Sequence, residues 1–298
     1  MEERKTIYLC LAHMSETGEE QKYVKEAFDT NWVVPLGPNV NGFEDDLKAF
    51  VSKNSDGSEL SREVVALSAG TAAVHLGLLA SGVVPGDEVC VQSFTFCASS
   101  HPITYLGATP VFIDSEPDSW NMDPELLEKA IIDRKEKTGK YPKAIVPVAL
   151  YGMPYDCDKI MAISEKYGIP VVEDAAEGCG SRWKGQVLGT FGKFGVLSFN
   201  GNKMITTSGG GALICQDAES KNNVMWYATQ ARDAYPYYQH TAIGYNYRMS
   251  NVCAGIGRGQ MTVLEDHIAH HKHVQELYKE LLKDVEGVTL HEAPNADY

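Results

Sequence analysis

No stretch of this sequence approaches the roughly 18 consecutive apolar residues that a membrane-crossing helix needs, and Met1 to Lys5 are charged with no signal-peptide core behind them. A cytoplasmic protein, neither exported nor membrane-bound, is expected. The chain also lacks a basic surplus: 26 lysines and arginines face 40 aspartates and glutamates, a formal charge of −14. A nucleic-acid partner, whose phosphates require a basic face, is therefore not expected, and any anionic ligand must be held by local donors. No C-x-x-C pair is present, and the seven cysteines (Cys10, Cys90, Cys97, Cys157, Cys179, Cys215, Cys253) are odd in number and scattered, which suggests neither a disulfide framework nor a zinc site and reads most simply as buried thiols. No G-x-G-x-x-G opens a helix after the first strand, so a dinucleotide-binding Rossmann reading fails. Repeats, low-complexity tracts and Gly/Ser linkers are missing too, and the only domain boundary to propose lies near Arg258 to His267.

What is present is the pattern of a globular enzyme, 44% hydrophobic and long enough for one large domain and the start of another. Helical spacing from Thr17 to Trp32 is broken by Val33-Val34-Pro35-Leu36-Gly37-Pro38, read as a loop near a site. Val64 to Leu67 is a short buried strand, Ser68-Ala69-Gly70-Thr71 a turn, and Ala72 to Ser81 a buried helix. Strand patterns recur at Glu88 to Val91, Pro110 to Asp114, Ala144 to Val148 and Pro170 to Asp174, with a helix over Ser100 to Leu106. Strands alternating with helices predict an α/β fold with a mostly parallel sheet covered on both faces. Gly195 to Phe199 and Gly211 to Cys215 are joined by a connection too short for a crossover helix and are expected to pair antiparallel. A polar-faced helix over His267 to Asp284 would carry the chain off the sheet domain, with Val288-Thr289-Leu290 opening a strand.

Four groups of residues carry chemistry. Asp174 ends a strand, where ligand sites of open α/β sheets lie; taken alone, capping a helix that begins at Ala175 is the commoner use of such an Asp. Lys203 follows another strand among glycines that allow close approach of backbone and ligand, and a partly buried lysine can attack a carbonyl and act as a general base. Gly70 and Thr71 present backbone N–H groups and a hydroxyl at a helix N-terminus, a natural seat for a phosphate to which Ser198 could add a second hydroxyl. Phe94 or Phe96, with Phe96 preferred, could lie flat on an aromatic ring, though both would pass as core aromatics. A Schiff-base lysine, an acid for a pyridine nitrogen, a ring-stacking partner and a phosphate cradle are together what pyridoxal 5'-phosphate chemistry requires. His267, His270, His271 and His273 share helical spacing but sit among charged neighbours, and a solvated face outweighs a metal site there.

In wording, order and spacing, Ser68-Ala69-Gly70-Thr71-Ala72-Ala73-Val74-His75-Leu76, Ser93-Phe94-Thr95-Phe96, Val172-Glu173-Asp174-Ala175-Ala176-Glu177, Ser198-Phe199-Asn200-Gly201-Asn202-Lys203 and Gly244-Tyr245-Asn246-Tyr247-Arg248-Met249-Ser250 resemble the DegT/DnrJ/EryC1/StrS family of nucleotide-sugar aminotransferases. The resemblance runs from the first helix to about Leu264. It implies a fold-type I pyridoxal-phosphate transferase, three-layered α/β/α, with residues 1–260 as the cofactor-binding domain and 261–298 as a linker helix opening a truncated small domain. It implies Lys203 as the Schiff-base lysine, Asp174 on the pyridine nitrogen, Phe96 on the ring, and Gly70, Thr71 and Ser198 on the phosphate. Glu177 stands near the ring oxygen where relatives often carry Gln or His, and Ala149 where many carry His. Asn246 would reach the phosphate of a neighbouring subunit, making a homodimer with a shared site. Family members usually continue well past Tyr298, which makes a fragment or truncated product an expectation.

The reaction implied is transfer of an amino group from an amino acid, glutamate by resemblance, to a keto group of a nucleotide-linked sugar. The wording around Gly201 to Gly211 is closest to members that aminate C4 of UDP-linked N-acetylated keto hexoses for surface polysaccharide. Gly37, Pro38 and Tyr151 are candidates for facing substrate. Two rivals are a cofactor-binding but silent regulatory or structural relative, and a sugar dehydratase, which Lys203 opposes because that branch replaces the lysine with His.

Overall fold

The computed structural model describes residue 6 and residues 12–292. In chain order the elements are α1 (Glu19–Asp29), α2 (Pro38–Val51), β1 (Glu63–Leu67), α3 (Gly70–Ala80), β2 (Glu88–Gln92), α4 (His101–Tyr105), β3 (Thr109–Ile113), α5 (Pro124–Thr138), β4 (Ala144–Val146), α6 (Cys157–Tyr167), β5 (Val172–Asp174), β6 (Arg182–Trp183), β7 (Gln186–Val187), β8 (Phe194–Ser198), β9 (Gly211–Cys215), α7 (Ala218–Ala228), α8 (Asn251–Met261) and α9 (Leu264–Leu282). Helix boundaries follow local chemistry. Asp123, Asp156 and Asp217 accept backbone N–H groups at the starts of α5, α6 and α7, and Gly139 and Gly168 end α5 and α6 in the left-handed region.

Seven strands form two ladders, β3-β2-β4 and β5-β8-β9-β1, joined where Ile145 bridges Val171 and Val148 bridges Asp174, both parallel, and β6 and β7 form a separate antiparallel hairpin. β9 alone in the main sheet runs against its neighbours β8 and β1, so the expected mostly parallel α/β/α architecture and the antiparallel β8–β9 pair are both present. Along β1 the side chains alternate: Val64 and Ala66 join α2, α5, α6 and α8 in one apolar cluster, Val65 and Leu67 join α3, α4 and α7 in the other. This alternation makes the sheet the middle of three layers.

Three expectations need correction. The loop read over Val33 to Pro38 gives way to a helix at its end: Gly37 is the N-cap and Pro38 the first residue of α2, a helix that periodicity missed and whose capping side chain is remote in sequence. Asn251 at the start of α8 accepts the N–H groups of Asn39 (2.9 Å) and Val40 (3.2 Å) through Oδ1. Val288 to Leu290 forms no strand, and no sheet edge pairs with it among the described residues. Cys97 is an exposed thiol in a 3₁₀ turn rather than a buried one; Cys10 lies outside the described residues. No described helix is long and apolar enough to cross a membrane.

Candidate active site

At the carboxyl ends of β1, β5 and β8 lies a cavity of about 340 Å³, within the range of small-ligand sites. Gly70, Thr71, Phe96, Asp174, Glu177, Ser198 and Lys203 all line it. Asn246 does not: it is exposed, bridges Thr229, and lies outside the cavity of its own chain.

One wall is the start of α3. Ala69, its N-cap, is extended and offers no side chain, so the first N–H groups of the helix remain free for a ligand. This turn is held by close backbone contact. A Cβ on Gly211 would lie 2.4 Å from Gly70 N and 2.5 Å from the Ala69 carbonyl carbon, and a Cβ on Gly70 would lie 3.0 Å from Ser198 Cβ. Glycine at 211 thus lets β9 abut the turn, and glycine at 70 keeps Ser198 beside it.

The floor is the end of β5. Asp174 is buried; Oδ2 accepts the Ser99 hydroxyl (2.6 Å) and Oδ1 accepts Ala176 N–H (3.2 Å). No helix follows Asp174, so the helix-cap alternative falls away. Burial pushes its carboxyl up from the ordinary range, against the opposing pull of Ser99, Ala176 and Lys203. Among the described residues no Lys or Arg forms an ion pair with it. Ser99 could not be read from sequence, because its role depends on the 3₁₀ turn at Cys97–Ser99 folding back over β5.

Lys203 Nζ is 3.1 Å from Glu177 Oε1, both side chains largely withdrawn from water. Glu177 Oε2 accepts the N–H of Tyr151 (2.8 Å). The loop carrying Lys203 is closed by Phe199 N–H to Gly210 O (2.9 Å), Thr207 N–H to Phe199 O (2.9 Å) and Lys203 N–H to Asn200 O (3.0 Å). Phe96 stands at the cavity with 72% of its surface exposed, while Phe94 turns away to meet Trp120 and Tyr151. Ala149 is buried, its methyl packed toward Gly178. In α9, His267 Nδ1 lies 3.2 Å from Met204 O, and no described group of three or more potential ligands is arranged for a metal.

The donor set suits a flat, phosphorylated, nitrogen-containing ring: free helix N–H groups and hydroxyls, a buried carboxylate with no ion-pair partner among the described residues, and an amine, all lining one cavity. Comparison with known proteins agrees. EpsN of Bacillus subtilis, named for pyridoxal phosphate-dependent amino transfer, is 47% identical over 284 residues, covering 95% of this chain and 70% of that protein. A GDP-perosamine synthase of Escherichia coli O157:H7 is 37% identical, covering 91% and 71%. The crystal structure of a DegT/DnrJ/EryC1/StrS aminotransferase from Brucella abortus superposes with a TM-score of 0.85 at 31% identity, covering 94% of this chain and 72% of that one. With the family model matching residues 14–298, the chain belongs to the DegT/DnrJ/EryC1/StrS aminotransferase family, whose aminotransferases depend on pyridoxal 5'-phosphate.

Proposed function

We propose that this chain moves an amino group from an amino acid, glutamate, to the keto carbon of a nucleotide-linked sugar, C4 of a UDP-linked N-acetylated 4-keto hexose. The observation that carries the amino-transfer reading is the buried Asp174 carboxylate, which forms no ion pair with a Lys or Arg among the described residues and shares a cavity with Lys203. A protonated ring nitrogen would supply the missing cation. The named relatives support the sugar part: they include enzymes of GDP-perosamine and of a UDP-linked 3-oxo sugar acid.

The free N–H groups of Gly70 and Thr71, with the Ser198 hydroxyl, would hold the phosphate through charge-assisted hydrogen bonds aided by the α3 dipole. Asp174 would hold the ring nitrogen protonated, and Phe96 would cover one ring face. When bound, pyridoxal phosphate supplies the electron sink that makes the donor's α-carbon acidic. Lys203 Nζ, the one amine among the cavity-lining residues, would hold the cofactor and move protons in both halves of the exchange. Glu177 Oε1 orients that amine and accepts its hydrogen bond.

Asn246, exposed and outside its own cavity, would serve the phosphate of a second copy, giving a homodimer with shared sites. Residues 1–260 would form the cofactor-binding domain and 261–298 a linker helix leading toward a smaller one. The test is an absorption spectrum of the purified chain with pyridoxal phosphate, before and after glutamate. The lysine-bound cofactor's band should appear and then give way to that of pyridoxamine phosphate; no cofactor-dependent band would sink the reading.

A further inference from the structure

Three exposed aromatic side chains stand on three different turns, outside the residues that line the cavity: Phe94 after β2, two positions before the lining residue Phe96; Trp120 before α5; and Tyr151 after β4, next to the lining residue Leu150. Phe94 is central, its ring centroid 6.4 Å from that of Trp120 and 6.5 Å from that of Tyr151. Trp120 (φ 63°) and Tyr151 (φ 54°) both have left-handed backbone, which bulky residues adopt only where the surroundings impose it. Yet 44% of Trp120 and 76% of Tyr151 are exposed, so their own rings are not what the conformation serves to bury.

Two fully buried amides hold the backbone next to both residues. Asn121 Oδ1 accepts the Gln92 amide (3.1 Å) and Leu150 N–H (3.2 Å), and Asn121 Nδ2 donates to Met153 O (2.8 Å). Gln92 Nε2 also donates to Phe94 O (2.8 Å), while Gln92 Oε1 accepts Met122 N–H (2.8 Å) and Val148 N–H (3.3 Å). The pair therefore ties the backbones beside Phe94, Trp120 and Tyr151 into one unit, as buried, satisfied amide networks do. An exposed aromatic surface built on such a support is a preorganised platform.

Its position follows a contact path outward from the reacting amine. Lys203 Nζ meets Glu177, Glu177 meets the N–H of Tyr151, Tyr151 faces Phe94, and Phe94 faces Trp120. In a nucleotide-linked sugar the base likewise lies farthest from the reacting carbon. Trp120 already carries one flat ring: His291 lies parallel to it, centroids 3.9 Å apart and planes 12° apart.

We propose that Phe94, Trp120 and Tyr151 form the shelf on which the base of the nucleotide-linked substrate stacks, an inference that rests on the amino-transfer reading above. Stacking on aromatic rings suits any base, because each presents a π-face, and it needs no basic residues in a chain of net charge −14.

The test is calorimetric titration of the pyridoxal phosphate-loaded protein with UDP, GDP and, as a baseless control, pyrophosphate. Trp120→Ala should weaken binding of the preferred nucleotide about tenfold, Trp120→Phe should retain it within about threefold, and pyrophosphate binding should not change. Unchanged nucleotide affinity in Trp120→Ala overturns the shelf, as does an equal loss of pyrophosphate binding, or a cofactor-loaded wild type that binds neither nucleotide. Nucleotide binding that behaves as expected in a chain showing no cofactor band would instead sink the amino-transfer reading and leave the shelf standing.

Discussion

The floor and the rim of the cavity are built by opposite means. At the floor, Asp174 and Ser198 are buried at strand ends, and the Ala69–Gly70 turn is pressed against Gly211 so closely that no side chain fits between. At the rim, Phe96, Tyr151 and Trp120 are open to solvent on loops, two of them with left-handed backbone. The floor has one geometry, set by backbone packing of the sheet. The rim has aromatic surface, set by a buried amide pair, and can change its side chains without disturbing the sheet. On the proposed function, chemistry common to all substrates would belong to the first, and choice among substrates to the second.

The sharpest break of this comparison is at Lys203. Replacing it with Ala should lower transamination of glutamate by at least about 10³-fold, with the melting temperature little changed, because the residue adds a reacting group rather than packing. A residual rate within tenfold of wild type, measured by stopped-flow absorbance, would remove Lys203 from the mechanism. Asp174→Asn comes next: loss of the charge should weaken pyridoxal phosphate binding on the order of 100-fold. The same substitution tests the electrostatics without cofactor. Burial raises the Asp174 carboxyl above its unfolded value, so between the two values the folded state binds a proton that the unfolded state has released. Stability of the cofactor-free protein attributable to this group therefore falls as pH rises through that window. In Asp174→Asn that fall should disappear, and chemical denaturation across mildly acidic pH would show it; an unaltered pH slope would mean that Asp174 is not the strained group.

Gly211→Ala attacks the floor through packing alone. The new methyl would meet the Gly70 and Ala69 backbone at about 2.5 Å, so β9 and the start of α3 must separate. Overpacking of this kind costs about 1–3 kcal/mol, and cofactor affinity should fall with stability because the phosphate cradle is the part displaced. Urea denaturation that leaves the midpoint unmoved would show the turn to be more compliant than its contacts imply.

Much of the floor was legible in the sequence because its devices are local. A strand ending in Asp174, a glycine turn before a buried helix at Gly70-Thr71, and Lys203 after a strand each mark position by short-range chemistry, and the cavity does gather them. The rim and the supports were not legible. Gln92 and Asn121 are 29 positions apart and look like ordinary polar residues until the sheet brings them within 3.1 Å. Ser99, which holds Asp174, and Asn251, which caps α2 from more than 200 residues away, are hidden for the same reason. The left-handed conformations of Trp120 and Tyr151 carry no sequence signal, since neither residue type favours them.

That last point yields the smallest predicted effect and the finest probe of the contrast. A non-glycine residue in the left-handed region gives up roughly 1–2 kcal/mol relative to its preferred conformations, and Tyr151, at 76% exposure, recovers little of it by burial. Tyr151→Gly should therefore leave stability unchanged or raise it by up to about 1 kcal/mol, the relief of strain being partly offset by the greater chain entropy of glycine in the unfolded state. Its backbone N–H still reaches Glu177, so the Lys203 contact persists and reaction with glutamate should proceed. The sugar-nucleotide half of the exchange should suffer instead, as a higher KM for the keto sugar. A drop in melting temperature on Tyr151→Gly would mean the ring is structural, and would place the boundary between floor and rim farther out than Tyr151.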